Sequence, residues 1–370
     1  MIIKNAAVFR EDGFFEKGDI YIADGKFQTS GTGEVLDAEG LYAIPGLTDI
    51  HFHGCMGHDF SDGTLEALKT IGRYELSAGV TTIVPASMTL SEEILTEAMK
   101  SAAAYNTPDG SELVGINLEG PFINPVKKGA QNEKYIHTPD VDMFRRLQKA
   151  SNGLVKLCDI APEMDGSMEF IDALKDEVGI SIAHTMADYD TAKEAYDRGA
   201  RHATHLYNAM PAFSHRAPGV IGAACDSPHV RVELICDGVH IHPSVVRTTF
   251  KMFGDDRICM ISDSIRACGL TDGDYTLGGL PVKVVGKYAT LEDGTLAGSA
   301  TNLMDCVRTA VKEMEIPLAS AVKCAAVNPA KAVGIYDQYG SITPGKVANL
   351  LLLDADLNLK HLIFKGELRN

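Results

Sequence analysis

Residues 1–44 alternate apolar and polar side chains over short runs, as in IIKNAAVF and DIYIADGKF. A period of two is the mark of half-buried strands, and Asp24-Gly25 between two such runs is a hairpin turn pair, so antiparallel β-structure is predicted here. From residue 45 the pattern changes to short apolar runs separated by amphipathic segments of helix length. Strands are predicted near Gly46–His53, Val80–Ala86, Leu113–Glu119, Leu154–Ile160, Gly179–His184, Ala200–Leu206, Val230–Asp237 and Arg257–Asp263. Between them, segments such as TLEALKTIGRYELSAG, SEEILTEAMKSAAAY and DYDTAKEAYDRGA place apolar residues three and four apart and end in glycine or a polar stop, the pattern of helices with one buried face. Eight strands, each followed by a helix, predict an α/β fold of the (β/α)8 TIM-barrel type. An insertion at 268–298, with the hairpin-like PVKVVGKYATLEDGTLAG and a second turn pair at Asp293-Gly294, is positioned to cover the barrel mouth. The last segment returns to strand-like runs. The expected organisation is therefore a barrel over 45–340, carrying the 268–298 insertion, and a small β-sandwich built from 1–44 plus 341–370, so that the chain ends meet.

Composition narrows the partners. At 370 residues and 45% apolar content the chain can bury a full core. Its formal charge of −16 leaves no basic face for nucleic acid or an anionic membrane. No apolar run is long enough to span a bilayer, and MIIKNAAVFR lacks the features of a signal peptide, so a cytoplasmic location is expected. The eight cysteines show no C-x-x-C pair and are expected to be reduced and buried.

The polar residues suited to metal binding fall at the C-terminal ends of the predicted strands: His51 and His53, Glu119, His184, His205 and Asp263. That face is where barrel enzymes build their sites. His51 and His53 are two apart, which on a strand directs both rings to one side. Imidazole and carboxylate suit Zn2+ or Fe2+, with a position left for water. Each residue alone has a plainer reading: His184 as a core histidine, Glu119-Gly120-Pro121 as a turn, Asp263-Ser264 as a helix cap. Their coincidence at one face favours a single metal site. No G-x-S-x-G elbow or P-loop is present, and nothing points to a covalent intermediate.

The runs PGLTDIHFHG, NLEGPF, AHT, THLYNAMPAFSHRAPG, CDGVH, SDS and LAGS, in this order, resemble the N-acetylglucosamine-6-phosphate deacetylase family of the amidohydrolase superfamily, and the likeness extends through NPAKAVGIYDQYGSITPGKVANLLLLD. The resemblance implies that Glu119, His184 and His205 hold a catalytic divalent metal and that Asp263 is the catalytic carboxylate. His51 and His53 match a pair found in some members and linked to a second metal position, which leaves one or two ions per subunit open. For the substrate, an amino sugar phosphate, it implies phosphate contacts from the backbone amides of Asn208 and Ala209 and from Arg216 donated by the neighbouring subunit of a homodimer. Fixed N–H donors and a guanidinium would bind phosphate within an acidic protein. His240, the segment Leu296-Ala297-Gly298 and the pair Ala130-Gln131 match further substrate contacts, although Gln131 replaces a histidine carried by some members.

The activity implied is metal-dependent removal of the acetyl group from N-acetylglucosamine 6-phosphate. The galacto epimer differs at one hydroxyl and is the nearest alternative. A cyclic-amide hydrolase would carry a metal-bridging lysine at the end of the fourth strand, whereas Lys156 lies inside that run. A barrel that has lost catalysis would lack Asp263 or two ligands, and neither is lost.

Overall fold

The computed structural model describes residues 1–369. All eight predicted runs contain parallel strand: Leu47–Asp49, Val80–Ile83, Ile116–Leu118, Val155–Ile160, Gly179–Ile182, His202–Ala203, Arg231–Ile235 and Ile258–Ile261. They pair in sequence order within a three-stranded and a six-stranded sheet, which the parallel bridge between Ala86 and Asn117 joins. The last strand also returns to the first: Asp263 N donates to His51 O at 3.0 Å and His53 N to Ser264 O at 2.7 Å. Ile50, Val84, Leu157, Ile235, Cys259 and Ile261, drawn from five of these segments, meet in one hydrophobic cluster. The class is α/β.

Three strand predictions need correction. The third run breaks in two, because Glu112–Leu113 pairs with Val80–Ile83 while Ile116–Leu118 pairs with Val155–Ile160. Gly115 sits at the break, where a Cβ would lie 2.4 Å from Lys156 Cγ. The first run ends as strand at Asp49, so His51 and His53 leave the ladder. The sixth holds only two ladder residues.

The helices follow the amphipathic segments. Leu65–Ser77 starts where Thr64 Oγ1 accepts from Ala67 N at 3.2 Å, and it buries Leu68, Ile71 and Leu76 on one face; each such side chain contributes about 1.5–3 kcal/mol. Glu92–Ala103 is capped by Ser91, and Tyr189–Arg198 by Asp188. Gly199, at φ 134°, ends the latter in a conformation that side-chain-bearing residues avoid.

The chain ends do meet. Leu350–Leu353 pairs antiparallel with Tyr42–Pro45, and the terminal strands form one eight-stranded hydrogen-bonded sheet over a core that includes Ile3, Val8, Phe27, Leu350 and Ile363. The insertion contains a three-stranded antiparallel sheet, Gly273–Leu277, Leu280–Val285 and Tyr288–Thr290. Its Leu277 and Val282 pack with Met88 and Ile265. Among the described residues no helix is long and apolar enough to cross a membrane.

Candidate active site

Just beyond the C-terminal ends of the parallel strands, Glu119, His184 and His205 bring ligand atoms within 4.8 Å of one another, as do His51, His53 and Asp263. All six are buried. Glu119 Oε1 lies 3.1 Å from His184 Nε2, 3.1 Å from His205 Nε2 and 3.4 Å from His51 Nε2. Its other oxygen is 3.3 Å from His53 Nε2, which stands 3.4 Å from Asp263 Oδ1. Glu119 thus lies between the two groups.

Hydrogen bonds behind the rings set which nitrogen faces the centre. A carbonyl only accepts, so His184 Nδ1–H donates to Lys127 O at 2.8 Å and His53 Nδ1–H to Ala86 O at 3.2 Å. His51 Nδ1–H likewise donates to Glu233 Oε2 at 2.9 Å. Each leaves Nε2 aimed inward, the orientation that outer partners impose on metal-binding histidines.

The donor set fits a cation. His184 Nε2 and His205 Nε2 are 3.1 Å apart, and His51 Nε2 has no hydrogen-bond partner. Ring nitrogens and carboxylate oxygens facing one another repel unless positive charge lies among them, and a tetrahedral ion sets its ligands about 3.3 Å apart. The same demand appears at His53: burial works to lower its pKa, but the hydrogen bonds and charges of Asp263 and Glu119 lift it to about 10. Burial works to raise the pKa of Asp263, yet His53 and His51 hold it below its ordinary value, so it is ionised and able to take a proton.

The backbone here is unusual. His184, His205 and Asp263 have φ of 43°, 27° and 50°, and Ala209 follows at 52°. Left-handed conformations are uncommon without glycine and persist where the surroundings over-determine them, often at functional sites. They turn each side chain inward as its strand ends.

A cleft of about 510 Å3 opens over this centre. Of the predicted substrate contacts, Ala130, Gln131, Asn208, Ala209, His240, Leu296 and Gly298 line it. Ala297 does not; it is buried, with its N–H on Ala289 O at 3.0 Å. Arg216 is exposed and outside the lining of its own chain's cleft. Gln131 contacts the centre directly, Nε2 donating to Glu119 Oε2 at 2.6 Å. His240 Nδ1–H donates to Asp237 Oδ2 at 2.7 Å.

Sequence reading missed Glu233. Fully buried, it accepts from His51 Nδ1 at 2.9 Å, from His205 N at 3.1 Å and from His202 Nε2 at 3.1 Å. A carboxylate inside the apolar run RVELI was the available signal, since one is almost never buried unless paired. Cys55, beside the site in sequence, is fully buried, and burial raises its thiol pKa well above the ordinary value.

Comparison with known proteins agrees with this geometry. Residues 42–369 match the amidohydrolase family. The chain is 36% identical to N-acetylglucosamine-6-phosphate deacetylase of Bacillus subtilis (strain 168), covering 100% of this chain and 96% of the relative. The chain belongs to the N-acetylglucosamine-6-phosphate deacetylase family of the amidohydrolases. Among solved structures, a mutant of the Mycobacterium smegmatis deacetylase in complex with N-acetyl-D-glucosamine-6-phosphate is similar at TM-score 0.93 and 31% identity, over 100% of this chain and 98% of the other. An N-acetylgalactosamine-6-phosphate deacetylase of Escherichia coli O157:H7 is 28% identical over 99% of this chain and 98% of its own length. Deacetylases of both epimers are therefore represented among the relatives, and the metal dependence of the amidohydrolases suits the donor set described above.

Proposed function

We propose that the chain hydrolyses the acetamide of N-acetylglucosamine 6-phosphate, giving acetate and glucosamine 6-phosphate. The observation that carries this reading is the convergence of Glu119, His184 and His205 on one point, with ionised Asp263 facing the same cleft. These three residues would hold one divalent ion, Zn2+ or Fe2+. His51 and His53 with Asp263 would hold a second beside it, Glu119 lying within 3.4 Å of both imidazoles. Bound there, a metal supplies the Lewis acidity that makes water a nucleophile near pH 7 and polarises the acetyl carbonyl. Asp263 accepts the proton of the attacking water and returns it to the sugar nitrogen as the C–N bond breaks. His240, held by Asp237, presents Nε2 to the oxygen on which negative charge develops. Of the two backbone amides expected at the phosphate, Asn208 N–H is engaged by His205 O at 2.9 Å, so we assign that contact to the N–H of Ala209, which lines the cleft. We assign the second phosphate contact to Arg216 of a neighbouring subunit, which makes the active assembly a homodimer; its exposure outside its own cleft supports that role.

The same reading organises the fold. We infer that the parallel strands close as a (β/α)8 barrel over 45–340, supported by the bonds from Asp263 to His51 and from His53 to Ser264 and by the cluster around Ile50 and Ile235. We take 1–44 plus 341–370 as a small β-sandwich and 268–298 as an insertion walling the cleft through Leu277, Asp293, Thr295 and Leu296. A cytoplasmic setting agrees with eight free cysteines.

The test is acetate release by purified, metal-loaded protein from N-acetylglucosamine 6-phosphate, its galacto epimer and the unphosphorylated sugar. Turnover that requires phosphate and favours the gluco epimer supports the proposal. Preference for the galacto epimer transfers it to that substrate, and no turnover on any sugar overturns it.

A further inference from the structure

The parallel strands have a second end, away from the metal centre. There the N-terminal ends of Val155–Ile160, Gly179–Ile182, His202–Ala203 and Arg231–Ile235 surround a cleft of about 370 Å3. Its wall carries four cations, Lys156, Arg201, Arg231 and Lys331, and one carboxylate, Glu177. Glu177 is already engaged, accepting from Arg145 Nη2 at 2.6 Å. Among the described residues, no carboxylate lies within ion-pair distance of any of the four. Arg201 immediately precedes the strand His202–Ala203 and Arg231 opens the adjoining one, with Arg231 N donating to Arg201 O at 3.0 Å, and Arg231 Nε is buried without a hydrogen-bond partner.

This arrangement is odd for a chain with 50 acidic and 34 basic residues. The N-terminal face of a barrel ordinarily serves stability, and stability would pair these cations with some of the many carboxylates. Gathered unpaired in one concavity they repel one another, and an anion seated among them relieves that repulsion. Guanidinium forks match phosphate oxygens two at a time, lysine adds a point charge, and the cleft is of the size that takes a small metabolite. We propose that this cleft is a second anion site, built for the phosphate monoester of a small metabolite and separate from the catalytic cleft. His202 forms part of its wall and donates to Glu233, the carboxylate that also holds His51. The site therefore abuts the support of the metal centre while sharing no lining residue with the catalytic cleft.

Calorimetric titration of metal-loaded protein with glucose 6-phosphate, which carries phosphate but no amide, tests the proposal. Wild type is expected to bind two equivalents per subunit. A Lys156→Ala, Arg201→Glu double variant is expected to lose one, or bind it at least tenfold more weakly, with kcat and KM for the acetylated substrate unchanged; unchanged turnover also shows that it folds. Arg216→Ala is expected to lose the other equivalent. Binding by the double variant indistinguishable from wild type overturns the second site, as does complete loss of binding in Arg216→Ala. If instead the assignment of Arg216 is wrong, Arg216→Ala binds normally while the double variant still loses an equivalent, so the two failures are distinguishable.

Discussion

Gln131 Nε2 donates to Glu119 Oε2 at 2.6 Å while its Oε1 accepts from Thr89 N at 2.7 Å. The amide is fixed at both ends, so it orients the carboxylate that lies between the two histidine groups. Loss of an outer partner of this kind commonly lowers metal affinity about 10–100-fold. Gln131→Ala is expected to fall in that range in competition with a chromophoric chelator, and an unchanged affinity would show that Glu119 is oriented by the histidines alone.

Asp263→Asn removes the carboxylate proposed as proton acceptor but keeps the side-chain volume. Turnover is expected to fall by about 10²–10⁴-fold, the usual span for general acid–base catalysis. Metal content at the Glu119, His184 and His205 group should be preserved, as read by elemental analysis. Activity within a few-fold of wild type would assign the proton transfer to another group.

Glu233→Ala leaves His51 and His202 buried beside a missing carboxylate. Removing one partner of a buried charged pair costs about 3–5 kcal/mol, so denaturant unfolding of the metal-free protein should show a loss of that order. Glu233→Gln, which can still accept hydrogen bonds, should lose less.

His240 gives a pH signature. Burial works to lower its pKa, but the hydrogen bond and charge of Asp237, with Asp263 nearby, raise it above the ordinary value. A raised histidine pKa contributes stability that is fully present below the unfolded value of about 6.5 and is lost as pH rises through the folded value. If the protonated ring stabilises the developing oxyanion, an alkaline limb of kcat/KM follows the same titration. Asp237→Asn should move that limb to lower pH; a limb that stays in place would assign it to another group.

Arg216 can be tested by mixing two impaired proteins. Arg216→Ala is expected to raise KM for the phosphorylated substrate by about 10–100-fold, the equivalent of a charged hydrogen bond worth roughly 1.5–3 kcal/mol. Unfolded and refolded together with Asp263→Asn, it should regain activity, because a mixed dimer holds one cleft with intact Asp263 and a donated Arg216. No gain on mixing would place Arg216 outside the partner's cleft.

Much of this protein is legible along the chain. Period-two runs and the Asp24-Gly25 turn mark the terminal strands, apolar runs mark the parallel ones, and three-and-four spacing marks the helices, because each pattern records which face of a local element is buried. The six side chains that gather as candidate metal ligands each stand where an apolar run ends. Strand lengths were less legible: the third run changes partner at Gly115, where any Cβ would meet Lys156 of another strand. Tertiary structure alone decided the supports and the surfaces. His51 meets Glu233 across 182 residues, Gln131 reaches Glu119, and Lys156, Arg201 and Arg231 converge at the far end of the strands. The physical reason is range. Hydrophobic periodicity is a property of neighbours in sequence, whereas a hydrogen bond between buried polar groups depends on which strands the fold has set side by side.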